Sequence, residues 1–104
     1  MSVLTVISQF KLPKPVTIEE ARKIFLGTAP NYRDFPGLVR KYYLLSQDGR
    51  TVGGVYLWNS KEEADKLYTE EWKSFVRSKY GEAPTLLYFE CPVVVDNLSH
   101  ELIT

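Results

Sequence analysis

LVRKYYLLSQDGRTVGGVYLW, residues 38–58, decides the fold. Two runs rich in β-branched and aromatic side chains flank Ser46-Gln47-Asp48-Gly49-Arg50, and Asp-Gly between such runs is a strong short-range signal of a β-hairpin. Within the second run, Gly53-Gly54 has no side chains to pack. That pair predicts a bulge, with close approach of a ligand to the backbone as the alternative.

Upstream, residues 3–10 alternate and are rich in β-branched side chains, so they predict a first strand. It ends at Lys11-Leu12-Pro13-Lys14-Pro15, where two prolines withdraw backbone donors. Thr17 and Glu20 have the spacing of a capping box, and Ile18, Ala21, Phe25 and Leu26 then recur with helical period. Gly27, Pro30 and Phe35-Pro36-Gly37 end this helix in an irregular connection, and its Tyr32 and Phe35 make it a candidate lid or cavity wall. Downstream of the hairpin, Ser60 and Glu63 repeat the cap signature. Thr69 offers a second cap before Trp72, Phe75 and Val76, so two short helices with a kink are expected. Gly81 and Pro84 end that segment; residues 85–95 form a last β-rich run interrupted at Pro92, and residues 96–104 are left as a C-terminal tail.

The order βαββαβ over one domain, residues 1–104, is that of a ferredoxin-like α+β fold: a four-stranded antiparallel sheet with helices on one face. Two helical segments cover only one face of such a sheet. Residues 3–7, 42–45 and 86–89 nevertheless carry apolar or aromatic side chains on both alternating faces. The uncovered face predicts a homodimer formed through the sheet.

Thirteen Lys plus Arg balance thirteen Asp plus Glu, so no overall field gathers nucleic acid or an anionic membrane. The single cysteine, Cys91, excludes an internal disulfide framework and reads as a small core residue of a reduced protein. MSVLTVISQFKLPKP carries no basic leader before its short apolar run, and nowhere do about 18 apolar residues run together, so a cytoplasmic protein without a membrane span is expected. No GxGxxG, Walker or HExxH pattern occurs, and no closely spaced Cys or His pair suggests a metal site.

Aromatic residues are the compositional departure: seven Tyr, five Phe and two Trp. Tyr56 and Trp58 share a strand face, and Tyr68 and Trp72 lie four apart on the next helical segment, so the four are expected to converge. Gln9, at the end of the first strand, is expected to reach the same region as an amide donor and acceptor. An aromatic-walled pocket with a few polar tips suits a planar apolar ligand; a filled core is the alternative. Arg40 and Lys41 lie on opposite faces of one strand, so at most one is expected to line a given cavity, and either reads otherwise as half of a surface or interface ion pair. His100, the only histidine, reads as a solvated side chain near the terminus.

FPGLVRKYYLLSQDGRTVGGVYLWNSKEEADKLY, with Leu87-Tyr88-Phe89-Glu90-Cys91-Pro92, resembles the YdhR-type monooxygenases of the antibiotic biosynthesis monooxygenase superfamily. The resemblance implies a dimeric α+β barrel with a cavity between helices and sheet. Trp58 corresponds to the strand-three tryptophan that lines that cavity in superfamily members, among them cofactor-free quinone-forming oxygenases and haem-degrading enzymes. Tyr68 stands about where haem-degrading relatives carry an iron-binding histidine, and Gln9 about where they carry asparagine, which speaks against haem degradation.

The implied activity is a cofactor-independent monooxygenation of a small phenol-, anthrone- or quinol-like ring, whose own electrons reduce O₂. Under this reading Trp58 and Tyr68 are the catalytic residues, with Trp58 and Tyr56 stacking on the substrate. Gln9 and Tyr68 bond its oxygens, Arg40 stabilises a phenolate, and Trp72 completes the aromatic wall. No metal or redox cofactor is then required. The general base is missing from this scheme, because an ordinary tyrosine, with a pKa of about 10, is a poor one at neutral pH. The rival reading is a non-catalytic dimer that binds a small ligand, or a stress-response protein of the same fold.

Overall fold

A computed structural model describes residues 3–104. Its elements run β1 (Val3–Lys11), α1 (Ile18–Leu26), α2 (Ala29–Tyr32), β2 (Leu38–Leu45), β3 (Thr51–Trp58), α3 (Lys61–Leu67), α4 (Glu70–Tyr80), β4 (Thr85–Cys91), β5 (Val94–Asp96) and β6 (Glu101–Ile103). The main sheet has the order β2-β3-β1-β4 with every neighbour antiparallel, which is the expected ferredoxin-like arrangement.

Local chemistry sets the element boundaries. In the β2–β3 turn, Asp48 Oδ1 accepts bonds from Ser46 Oγ (2.6 Å) and the Arg50 amide (3.0 Å), while Gly49 adopts φ 74°. Thr17 and Glu20 form the full reciprocal capping box of α1. Ser60 and Thr69 cap α3 and α4 in turn, so the second helical segment is two short helices as its two caps predict.

Three expectations need correction. Gly53-Gly54 is not a bulge: both residues pair in regular register with β1 and β2. The irregularity lies in β2 instead, between Leu38 and Arg40. A Cβ on Gly53 would collide with the Ser8 carbonyl, so glycine there permits a close approach of strands β1 and β3. Residues 96–104 are not a loose tail, because β5 and β6 pair as a second hairpin whose turn holds His100 at φ 59°. Cys91 is only partly buried and faces away from the core, with its sulfur 2.8 Å from Thr5 Oγ1.

The sheet has one covered face and one open face. Leu4, Val6, Ser8 and Phe10 of β1 alternate with outward neighbours, as do Val52, Tyr56 and Trp58 of β3, and these inward residues are buried beneath the helices. On the other face Tyr42, Leu87 and Phe89 are about half exposed, and Ile7, Val55 and Leu57 are partly exposed. Leu87 and Phe89 pair with Ile7 and Thr5, so the open face is a continuous apolar surface across the strands.

Candidate functional site

The helix-covered face contains two aromatic groups built from neighbouring rungs of the same strands. The first is centred on Trp58, which is fully buried among Leu4, Val6, Tyr56, Ala64, Leu67 and Tyr68. Its indole N–H donates to Tyr68 Oη at 3.0 Å, Phe35 meets the ring edge-on at 5.8 Å, and Tyr56 lies nearly parallel at 6.4 Å. Burial pushes the Tyr68 hydroxyl up, and the bond from Trp58 opposes this more weakly. Each polar atom of the Trp58–Tyr68 pair has its partner, and the rings fill the space.

The second group is centred on Lys41. Pairing outward from the hairpin turn sets Lys41 opposite Tyr56 and Tyr43 opposite Gly54, which puts Lys41 and Tyr43 on the covered face. The Lys41 ammonium nitrogen lies 3.4 Å from the ring centroid of Tyr32, 3.9 Å from that of Tyr43 and 4.7 Å from that of Tyr56. Gly54 makes room for this arrangement. A Cβ there would stand 3.3 Å from Lys41 Cε and 3.1 Å from Tyr56 Cε1.

The cage is held by bonds at its rim. Trp72 Nε1–H donates to Tyr32 Oη at 3.0 Å. Thr28 spends its proton on the Phe25 carbonyl, so the Tyr43 hydroxyl, 2.9 Å away, donates to Thr28 Oγ1. Among the described residues the ion pairs are Lys61–Asp65 and Lys73–Glu70, and Lys41 has no carboxylate partner. The rings attract an ammonium through their faces, but loss of water is the larger effect and brings the Lys41 amine down to about 7. Burial moves the three tyrosines the other way, above their ordinary range, so the cage walls are neutral phenols.

Empty space collects around this second group. A cavity of about 30 Å³, room for a water or two, lies between Lys41, Ser8, Thr28, Tyr56 and Trp72. Lys41, Tyr32 and Tyr43 also line a cleft of about 340 Å³ that opens at the edge of β2 and is rimmed by Arg33, Asp34 and Arg40. A third space, an apolar groove of about 500 Å³, runs between α1 and β2. Ile18 and Leu26, expected as core residues of α1, are more than 60% exposed and line this groove. The stacked pair Phe25 and Tyr43, 4.7 Å apart, borders both the groove and the inner cavity and separates them.

The sequence-predicted residues divide accordingly. Tyr56, Trp58, Tyr68 and Trp72 do converge, with Tyr68 and Trp72 edge to face at 5.1 Å. Only Tyr56 and Trp72 border the inner cavity; Trp58 and Tyr68 line none of these three spaces. Gln9 does not join them: it pairs with Gly53, is exposed, and faces the open side of the sheet. Arg40 also points to the open side, donating to Tyr42 Oη at 3.1 Å. Because β2 is an edge strand, Arg40 nevertheless borders the cleft together with Lys41, so the expectation that only one of the pair lines a cavity does not hold. The connection after α1 is a wall of the site, since its Tyr32 forms one side of the cage. Among the described residues no cluster of His, Cys, Asp or Glu has the makings of a metal site, and no helix is long and apolar enough to cross a membrane.

Lys41, expected from the sequence as half of an ion pair, has none among the described residues and is instead the functional candidate of the cage. The signal was present in the hairpin: counting rungs from the Ser46–Thr51 closure reaches Lys41 opposite Tyr56.

The sequence matches no family model, and no curated protein matches it. Its fold is similar to that of a monooxygenase from the gene ActVA-Orf6 of Streptomyces coelicolor, solved in complex with Nanaomycin D, at 16% identity over 88% of this chain and 89% of that chain with TM-score 0.67. It is equally similar to NE2512, a protein of unknown function from Nitrosomonas europaea, at 12% identity over 90% and 93% with TM-score 0.67. SnoaB, a cofactor-independent oxygenase from Streptomyces nogalater, matches at 15% identity over 93% and 98% with TM-score 0.61. At these identities the likeness is one of fold: this chain shares the α+β fold of these proteins.

Proposed function

We propose that this chain is a cofactor-independent monooxygenase of small, electron-rich aromatic compounds, and that the substrate ring lies in the cleft over Lys41 at the edge of β2. The observation that carries this reading is the cleft itself: about 340 Å³, walled by Tyr32 and Tyr43 and lined also by the Lys41 amine, the Arg33 and Arg40 guanidinium groups and the Asp34 carboxylate. A fold shared with two oxygenases, one of them described as cofactor-independent, supports the same class of chemistry. In the simplest reaction of this kind an anthrone loses two hydrogens from one ring carbon and gains one oxygen atom. The second atom of O₂ leaves as water, so no external reductant is needed. The protein's part is to hold the ring, favour its anion and keep it oriented.

In this reading Tyr32 and Tyr43 contact the ring, Arg33 and Arg40 favour its phenolate, and Tyr56 and Trp72 close the inner wall. Trp58 and Tyr68 serve as the rigid backing of that wall. Oxygen consumption with a panel of anthrones and hydroquinones is the test. One O₂ per quinone formed is expected, falling roughly 10- to 100-fold in Tyr32→Ala as the ring loses its seat. Absence of uptake with every member of the panel would remove the oxygenase reading.

The open sheet face carries a second part of the proposal, a homodimer formed sheet to sheet. A continuous apolar surface including Tyr42, Leu87 and Phe89 is left to solvent in the single chain. Light scattering at micromolar concentration should give the mass of two chains, and Phe89→Glu should reduce it to one. A monomeric wild-type protein would end this assignment.

A further inference from the structure

We infer that Lys41 is the proton acceptor of the cleft: its uncharged amine takes the proton of an acidic aromatic hydroxyl and the resulting ammonium is held against the faces of Tyr32, Tyr43 and Tyr56. The inference rests on the aromatic-ligand reading of the cleft and supplies the base that neither histidine nor tyrosine provides. The phenol O–H bond breaks, an N–H bond forms, and the electron pair stays on oxygen. Nothing is oxidised in this step.

Geometry favours the transfer both before and after the proton moves. Before the ligand arrives, the amine has no carboxylate partner and lies on the dry side of an edge strand, which disfavours its charge. The titratable groups facing it are Tyr32 from α2, Tyr43 from β2, Tyr56 from β3 and Tyr80 from α4, all raised by burial and so uncharged at neutral pH. From β1 it meets Ser8, which is not titratable in this range. Arg33, Asp34 and Arg40 stand at the mouth and carry a net positive charge there. That field opposes an ammonium and favours a phenolate.

After transfer, three ring faces within 3.4–4.7 Å and the new phenolate both stabilise the ammonium. The lowered pKa of Lys41, about 7, agrees with an amine that is free at the start of the cycle.

The deciding measurement is proton bookkeeping on binding, with no turnover required. A hydroxyanthraquinone dye whose own pKa lies above about pH 8 is titrated into the protein at that pH by calorimetry in two buffers of different ionisation heat, with its absorption followed in parallel. Wild-type protein should bind the dye as its red-shifted anion with no net proton released, because the proton stays on Lys41. Lys41→Met should bind it without the red shift. Lys41→Arg, always charged, should bind the anion and release about one proton per dye. Release of a proton by the wild type, an unshifted dye in the wild type, a full red shift in Lys41→Met, or no binding by the wild type would each overturn the assignment. Oxygen uptake separates the two readings: retained protons without uptake remove the oxygenase alone, and uptake with a released proton removes the base alone.

Discussion

Trp58 and Trp72 do the same thing in two places and with different results. Each donates its indole N–H to a tyrosine hydroxyl at 3.0 Å, Trp58 to Tyr68 and Trp72 to Tyr32. Around Trp58 the space is filled by aliphatic and aromatic neighbours, and the tyrosine ring faces other rings. Around Trp72 the tyrosine turns its face to an amine, a small cavity opens behind it, and a cleft opens in front. An aromatic pair is therefore not by itself a site. What marks one here is the combination of unfilled volume with a titratable group that has lost water and gained no opposite charge.

Two substitutions set the regions against each other, and the larger effect belongs to the one with no cavity. Trp58→Ala removes a fully buried ring and leaves a void, so urea denaturation should show a loss of about 3–5 kcal/mol. If that variant kept its stability and lost only ligand binding, Trp58 would belong to the site and would not be its backing.

Lys41→Met should act in the opposite sense. The folded-state pKa of Lys41, about 7, lies below the ordinary lysine value of 10.5, so the unfolded chain binds the proton more tightly between those values. Wild-type stability from this group therefore rises as pH rises from about 7 toward 10.5, and its cost is complete below about 7. Methionine removes the cost: a gain on the order of 2 kcal/mol below neutrality, discounted because Lys41 is only partly buried, should shrink as pH approaches 10.5. A gain that does not depend on pH would mean that packing, and not the proton, is responsible.

The two regions also differed in how far the sequence revealed them. Strands, caps and the helix-on-one-face architecture were legible because each rests on short-range chemistry: Asp48-Gly49 in the turn, Thr17 with Glu20, Ser60 and Thr69 at helix starts. Much of the Trp58 group was legible for the same reason, since Tyr56, Trp58, Ala64, Leu67 and Tyr68 recur at strand and helix spacings. The Lys41 cage was harder. Tyr32 joins it from α2 across a connection with no regular period, and which of Arg40 and Lys41 faces inward depends on counting rungs from the turn. Gln9 went wrong where no local count exists, because the register of β1 against β3 is fixed by packing between segments more than forty residues apart. Gly53-Gly54 misled because glycine in a strand marks close approach as well as bulges, and here the approaching group is the Ser8 carbonyl.

The irregularity between Leu38 and Arg40 also shields the rim of the sheet. β2 is an edge strand, and its outer rim would otherwise present a straight row of backbone donors and acceptors to any other chain. A register shift at its start, followed at once by the exposed guanidinium of Arg40, makes that rim a poor template for an added strand. Aggregation by sheet extension is thus discouraged along the very edge where the cleft must stay open to solvent.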